Sequence, residues 1–176
     1  SPIDDSQPEE VFSNFLRPQE PPKNGHSILP EYNPSFYGVE KDFIQESIDK
    51  KEIGDAGEAL VKQYEIQRLK NIGHEDLSEQ VEIVKDGKGY DILSFDDKRK
   101  PKYIEVKTTS SNSLTPFDFT INEKTFAEQN GESYFIYRLY NYDEETNTAD
   151  FFVISALEEE VLMRPTSFKV YLKKRN

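Results

Sequence analysis

The stretch that decides the reading of this chain is Gly89-Tyr90-Asp91-Ile92-Leu93-Ser94, followed by Tyr103-Ile104-Glu105-Val106-Lys107-Thr108-Thr109. Both runs are rich in the β-branched and aromatic residues that favour strands, and the turn-forming Asp96-Asp97-Lys98 lies between them. Side chains alternate across a strand, so Glu105 and Lys107 share one face while Ile104 and Val106 take the other. By the same alternation Asp91 falls on the face of Leu93 and Phe95, where a carboxylate is expected only with a partner or a metal. Two carboxylates and a lysine on adjacent strands suit a divalent cation and an activated water, which is nuclease chemistry in outline.

At 176 residues the chain is long enough for one compact domain with a real core, and 12 Phe and 10 Tyr add bulk to a hydrophobic fraction of only 35%. The lack of cysteine excludes disulfide frameworks and thiolate metal sites and fits the cytoplasm, the compartment expected here. No apolar run approaches the roughly 20 residues needed to cross a bilayer, so no membrane role is expected. The formal charge of −12 excludes a generic nucleic-acid-coating protein, which would be basic. Residues 1–40 hold seven acids and two bases, yet the remainder stays acidic, with 27 acids and 20 bases. Any DNA contact must therefore come from a local basic patch, a bound metal or a partner domain.

Seven prolines in residues 1–35 leave little room for helix, and this segment reads as an acidic tail or linker, disordered or loosely docked through Phe15-Leu16. The folded domain is assigned to 36–176. Helical spacing of Val39, Phe43, Ile44 and Ile48 predicts a helix over 36–51. Gly54-Asp55-Ala56-Gly57 should interrupt it, with Asp55 capping a second helix over 56–71. Strands are expected over 81–84, 90–95 and 103–109, then a helix over 122–129 capped by Asn122 or Thr120. A hairpin of 133–140 and 149–156, a short helical turn over 157–162 and a closing strand over 167–172 complete the pattern. The order helix, three strands, helix, strands predicts an α/β fold of α+β character: a mixed β-sheet flanked by helices, αβββαβ, with extra C-terminal strands.

That order, with an acid in the helix, Asp on the second strand and Glu-x-Lys on the third, resembles the PD-(D/E)xK restriction-endonuclease-like superfamily. More narrowly, the chain is similar to the domain named for the C-terminal region of the plant NO VEIN proteins. The resemblance rests on Gly54-Asp55-Ala56-Gly57-Glu58, Tyr64-Glu65, Arg68-Leu69, the two strand runs quoted above, Asn122-Glu123 and Tyr134-Phe135-Ile136-Tyr137-Arg138. Tyr90 stands where the superfamily name would place a proline. The resemblance implies that Asp91 and Glu105 bind Mg²⁺ (with Mn²⁺ as substitute), and that the Val106 carbonyl is a third ligand. It implies that Lys107 orients or activates the attacking water, and that Glu58 reaches the same pocket from the helix. The reaction implied is phosphodiester hydrolysis of DNA in a restriction or antiphage setting. Target choice would come from a helicase, ATPase or specificity domain or subunit, and a homodimer is a further partner expectation.

Each residue also has a plainer reading. Glu-x-Lys on a strand is common on exposed sheets, and the helix face of Glu58 also carries Val61, Glu65 and Leu69. Lys98-Arg99-Lys100 is either a DNA contact or a solvated turn at the far end of the strands. Thr108 and Thr109 could hydrogen-bond a phosphate, although β-propensity explains them as well. Asn122 could contact substrate, while Glu123 is accounted for by the helix dipole. His26 and His74 have no partner at metal-ligand spacing. The rival function is a nuclease-fold module that binds a partner or nucleic acid and cuts nothing, for which the net charge speaks.

Overall fold

A computed structural model describes residues 13–32, 34 and 43–176. One mixed six-stranded sheet organises them. In chain order the elements are β1 (Leu16–Pro18), α1 (Phe43–Asn71), α2 (Glu75–Ser78), β2 (Glu82–Ile83), β3 (Ile92–Phe95), β4 (Pro101–Thr108), α3 (Ile121–Gln129), β5 (Tyr134–Asp143), β6 (Thr148–Ile154) and α4 (Leu157–Glu160). The sheet order is β1-β6-β5-β4-β3-β2. β4 and β5 run parallel, joined by the crossover that contains α3, and β1 lies parallel to β6; the other neighbours are antiparallel. The expected mixed sheet with flanking helices is what forms. No described helix is long and apolar enough to cross a membrane.

Alternation along the strands gives the sheet two different faces. Ile92, Ile104, Val106, Tyr137, Leu139 and Phe151 pack with Leu60, Val61, Tyr64 and Leu69 of α1. Tyr134, Ile136, Phe152 and Ile154 pack with Ala127 and Phe126 of α3 on the other side. The α1 face also contains a buried polar network centred on Glu65, which has no solvent exposure. Its carboxylate accepts two bonds from Arg68, both 2.9 Å, one from Ser94 Oγ at 2.8 Å and one from Tyr137 OH at 3.0 Å. Lys102 Nζ stands 3.3 Å away. Burial works against the charge on Glu65, but Lys102 and Arg68 outweigh it and hold the carboxyl below its ordinary range.

Three sequence expectations change here. The break at Gly54 is absent: α1 runs unbroken through it, and Asp55 pairs with Lys51 at 3.2 Å along the helix instead of capping a new one. A helical glycine costs about 1 kcal/mol against alanine. At Gly57 the reason for tolerating it is close packing, because a Cβ there would lie 1.9 Å from Thr108 Oγ1. Gly57→Ala should therefore push α1 off β4 and lower stability by about 1–3 kcal/mol. Thermal melts should show Thr108→Ala restoring part of that loss in the double variant. The start of the helix expected over 36–51 lies outside the described residues.

The second change concerns the tail. Ser13 Oγ brackets the backbone of Leu16, Leu16 is wholly buried, and β1 is a strand of the sheet. Third, no strand forms over 167–172, and Phe168, Val170 and Leu172 are exposed. The outer edge of β6, where a following strand would pair, is already taken by β1. Of the two readings of Lys98-Arg99-Lys100, the turn is the one that forms: it enters β4 at Pro101, so about five strand residues, roughly 16 Å, separate it from Glu105. Arg99 is held by Asp76. The basic run is a turn at the far end of the strands.

Candidate active site

Two backbone features place Asp91. Gly89 takes φ +87° and passes so close under α3 that a Cβ there would lie 2.6 Å from Phe126 Cβ. Tyr90 then packs on Tyr103 and Phe126, with ring centroids 4.8 and 4.9 Å away. Asp91 follows one step before β3 begins, and its N–H donates to Ile104 O at 2.9 Å. Where β3 has no residue to offer β4, the carboxylate takes over: Asp91 Oδ2 accepts from Val106 N–H at 2.8 Å. A strand residue directs its N–H and C=O to the same edge, so the Val106 carbonyl emerges on that side as well.

Glu105 and Lys107 project from β4 on the α3 face. Glu105 is 3% exposed, and Lys107 Nζ lies 3.1 Å from its Oε1. The same ammonium reaches Glu123 on α3 at 3.0 and 3.2 Å. Glu123 also closes a capping box: its Oε2 accepts from Thr120 N–H at 2.9 Å, and its own N–H donates to Thr120 Oγ1 at 3.2 Å. The cap at Thr120 is as expected, but the sequence reading treated Glu123 as structural and missed it as the partner of Lys107. The spacing Thr120-x-x-Glu123 just after a Glu-x-Lys strand was the available signal.

Electrostatics tie these groups together. Burial and then the Asp91 charge push Glu105 up to about 9. Glu58 reaches in from α1, and burial followed by Asp91 raises it to about 7, with a hydrogen bond joining the two carboxyls. Asp91 is raised too, mainly by burial, which the Val106 N–H only partly offsets. Burial disfavours the charge on Lys107, but Glu105 and Glu123 outweigh it and its pKa rises. The Tyr134 hydroxyl, 3.4 Å from Gly89 O, is pushed far up by burial and by Glu105, Glu123 and Asp91.

Four carboxyls and one lysine thus share one cluster, an excess of acid that suits a bound cation. Among the described residues no group of three or more His, Cys, Asp or Glu is arranged to hold a metal. The donor chemistry fits an ion that takes one or two carboxylates and keeps its waters, as Mg²⁺ does, with Asp91 and Glu105 as the candidates. Glu105→Gln tests the strain. Between an ordinary carboxyl pKa of 4.5 and about 9, the unfolded chain has released this proton while the folded chain keeps it. Stability of the metal-free protein should therefore fall as pH rises through that window. In EDTA the variant should flatten this slope, melting higher than wild type at pH 8 and close to it near pH 4.

The structure brings Asp91, Glu105, Lys107 and Glu58 together. Asn122, exposed in the first turn of α3, borders the group, its carbonyl lying against Gly89. Thr108 is turned away: its hydroxyl is buried against Gly57 with no hydrogen-bond partner. Thr109 Oγ1 accepts from Ser111 N–H at 3.1 Å and shapes the loop leaving β4. Residues 57–154, more than half of the chain, match the family described as Protein NO VEIN, C-terminal. No curated protein and no solved structure matches. The matched span contains every residue of the acidic cluster.

Proposed function

We propose, from the premise that the chain belongs to the NO VEIN C-terminal family and so to the restriction-endonuclease-like superfamily, that this domain is a Mg²⁺-dependent DNA endonuclease. The observation that carries the reading is Lys107 Nζ standing 3.1 Å from Glu105 beside Asp91, with burial raising both carboxyls and the Asp91 charge adding to the rise at Glu105. Mg²⁺ held by Asp91 and Glu105, with the Val106 carbonyl nearby, would polarise the scissile phosphate and lower the pKa of water. Lys107 orients the attacking water and balances charge developing on the phosphorus oxygens. Glu123 fixes the direction of that ammonium. Glu58, raised to about 7, stores a proton beside Asp91 near neutral pH.

The net charge of −12 supports recruitment by a partner, whether a helicase, ATPase or specificity module or a second copy, because the domain alone has little general attraction for DNA. A defence effector fits such gating. The same charge favours a second reading, a catalytically silent interaction module of nuclease fold. The deciding experiment incubates the chain with Mg²⁺ or Mn²⁺ and linear, supercoiled, single-stranded and base-modified DNA, and RNA, with Asp91→Asn in parallel. Metal-dependent cutting that disappears in Asp91→Asn supports the enzyme. Equal cutting by both would assign the activity elsewhere, and none on any substrate is the result expected of the silent module or of an enzyme that cuts only with its partner.

A further inference from the structure

Arg138 lies directly beside Lys107 in the parallel β4–β5 ladder, on the same face of the sheet. It is 2% exposed. Buried guanidinium groups normally meet a carboxylate, because an uncompensated charge in a low-dielectric interior is costly. Arg138 forms no ion pair among the described residues. Its Nη2 donates to the Thr115 carbonyl at 3.0 Å, its plane lies 5.0 Å from the centre of the Phe117 ring, and no acceptor reaches its buried Nε. Desolvation alone lowers its pKa, to about 10, so it stays charged at neutral pH.

Lys107, its neighbour in the ladder, engages Glu105 and Glu123, while Arg138 is left without a carboxylate among the described residues. Its cover is a piece of the loop between β4 and α3, the same loop that leads from Lys107 to Glu123. Ser111, Asn112 and Pro116 of that loop are exposed, so its cover over the guanidinium is thin. A planar fork with an unused Nε–H and one carbonyl to exchange is suited to bidentate contact with a phosphate.

We infer that Arg138 is a substrate-binding residue of this site, gripping a backbone phosphate of the nucleic acid beside the scissile bond after displacing the Thr115 carbonyl. The inference deepens the nuclease reading and rests on it for the identity of the substrate. In this role the arginine adds a second positive contact beside Lys107 on this face of an acidic protein. No proton or bond is transferred; one hydrogen-bond acceptor replaces another.

Binding of a labelled DNA duplex to the full chain in EDTA, followed across salt concentrations, tests this without any turnover. Loss of one phosphate contact should weaken binding by Arg138→Gln about tenfold and make the slope of log K against log salt shallower by about one. An unchanged slope in a folded Arg138→Gln overturns the inference. Should that variant fail to fold, the ¹⁵N signal of Arg138 Nε in the wild type decides: DNA should shift it, and no shift overturns the proposal. Inorganic phosphate separates the sources, since a shift with phosphate but none with DNA would mark a free-anion site and overturn the nucleic-acid role. Failure of the nuclease reading looks different: the slope and shift effects persist while no metal supports cutting.

Discussion

Replacing Lys107 by methionine is expected to lower the rate of DNA hydrolysis by about a hundred- to a thousandfold while the protein stays folded. The ammonium stands 3.1 Å from Glu105 and 3.0 Å from Glu123, so among the described residues it is the one cation engaged by the acidic cluster. Methionine keeps the aliphatic stem and removes the charge. The two carboxyls left behind have an escape that most buried acids lack: Glu105 already holds its proton up to about 9, so protonation absorbs the loss. The change should therefore fall on the single-turnover rate at saturating DNA, with affinity in EDTA altered only a few-fold. Lys107→Arg should not restore the rate, because a wide fork cannot take the position of a compact ammonium between two carboxylates. A wild-type rate in Lys107→Met would remove this lysine from the chemistry.

Glu65→Ala is expected to be the most damaging single change to stability, at about 3–5 kcal/mol. For a chain of this size that is a fall in Tm of roughly 6–20 °C. The substitution deletes the acceptor for Arg68, Ser94 and Tyr137 and the counter-charge of Lys102 together. Lys102 is almost wholly enclosed, and burial already lowers its pKa despite Glu65. Ser94→Ala, which removes one donor and leaves the charges paired, should cost only about 1 kcal/mol. The pH dependence has a definite sign. Glu65 is held below its ordinary value of 4.5, so its contribution is complete above that pH and is lost as pH falls below it. A melt of Glu65→Ala that matches Ser94→Ala would mean the network is not a stabilising unit.

Asp91, Glu105 and Lys107 were legible in the sequence because strand alternation is a local rule and the antiparallel β3–β4 pair is closed by a short turn. Glu58 required the helix to cross that pair, which the resemblance to the restriction-endonuclease-like superfamily implied and the residues alone left open. Glu123 was hidden because its meeting with Lys107 depends on the crossover after β4. Gly54 misled because glycine propensity is local, whereas the continuity of α1 is decided by burial of Leu60, Val61, Tyr64 and Leu69. The strand at Leu16–Pro18 could not be read from three residues flanked by prolines, since its partner lies at Ala149–Phe151. Conversely, alternation over 167–172 suggests a strand, but no free edge beside β6 receives it.

The position of β1 has a bearing on how this chain folds and how it fails. Arg17 donates to Asp150 at 2.6 Å across 133 residues of chain, so β1 closes the longest loop in the sheet and belongs late in assembly. Until it docks, β6 presents a bare row of backbone donors and acceptors, with Ala149 and Phe151 among the residues that β1 pairs with. The span shared with the family, 57–154, ends with β6 and omits this guard. A fragment trimmed to that span would keep every residue of the acidic cluster and lose its protection against edge-to-edge self-association.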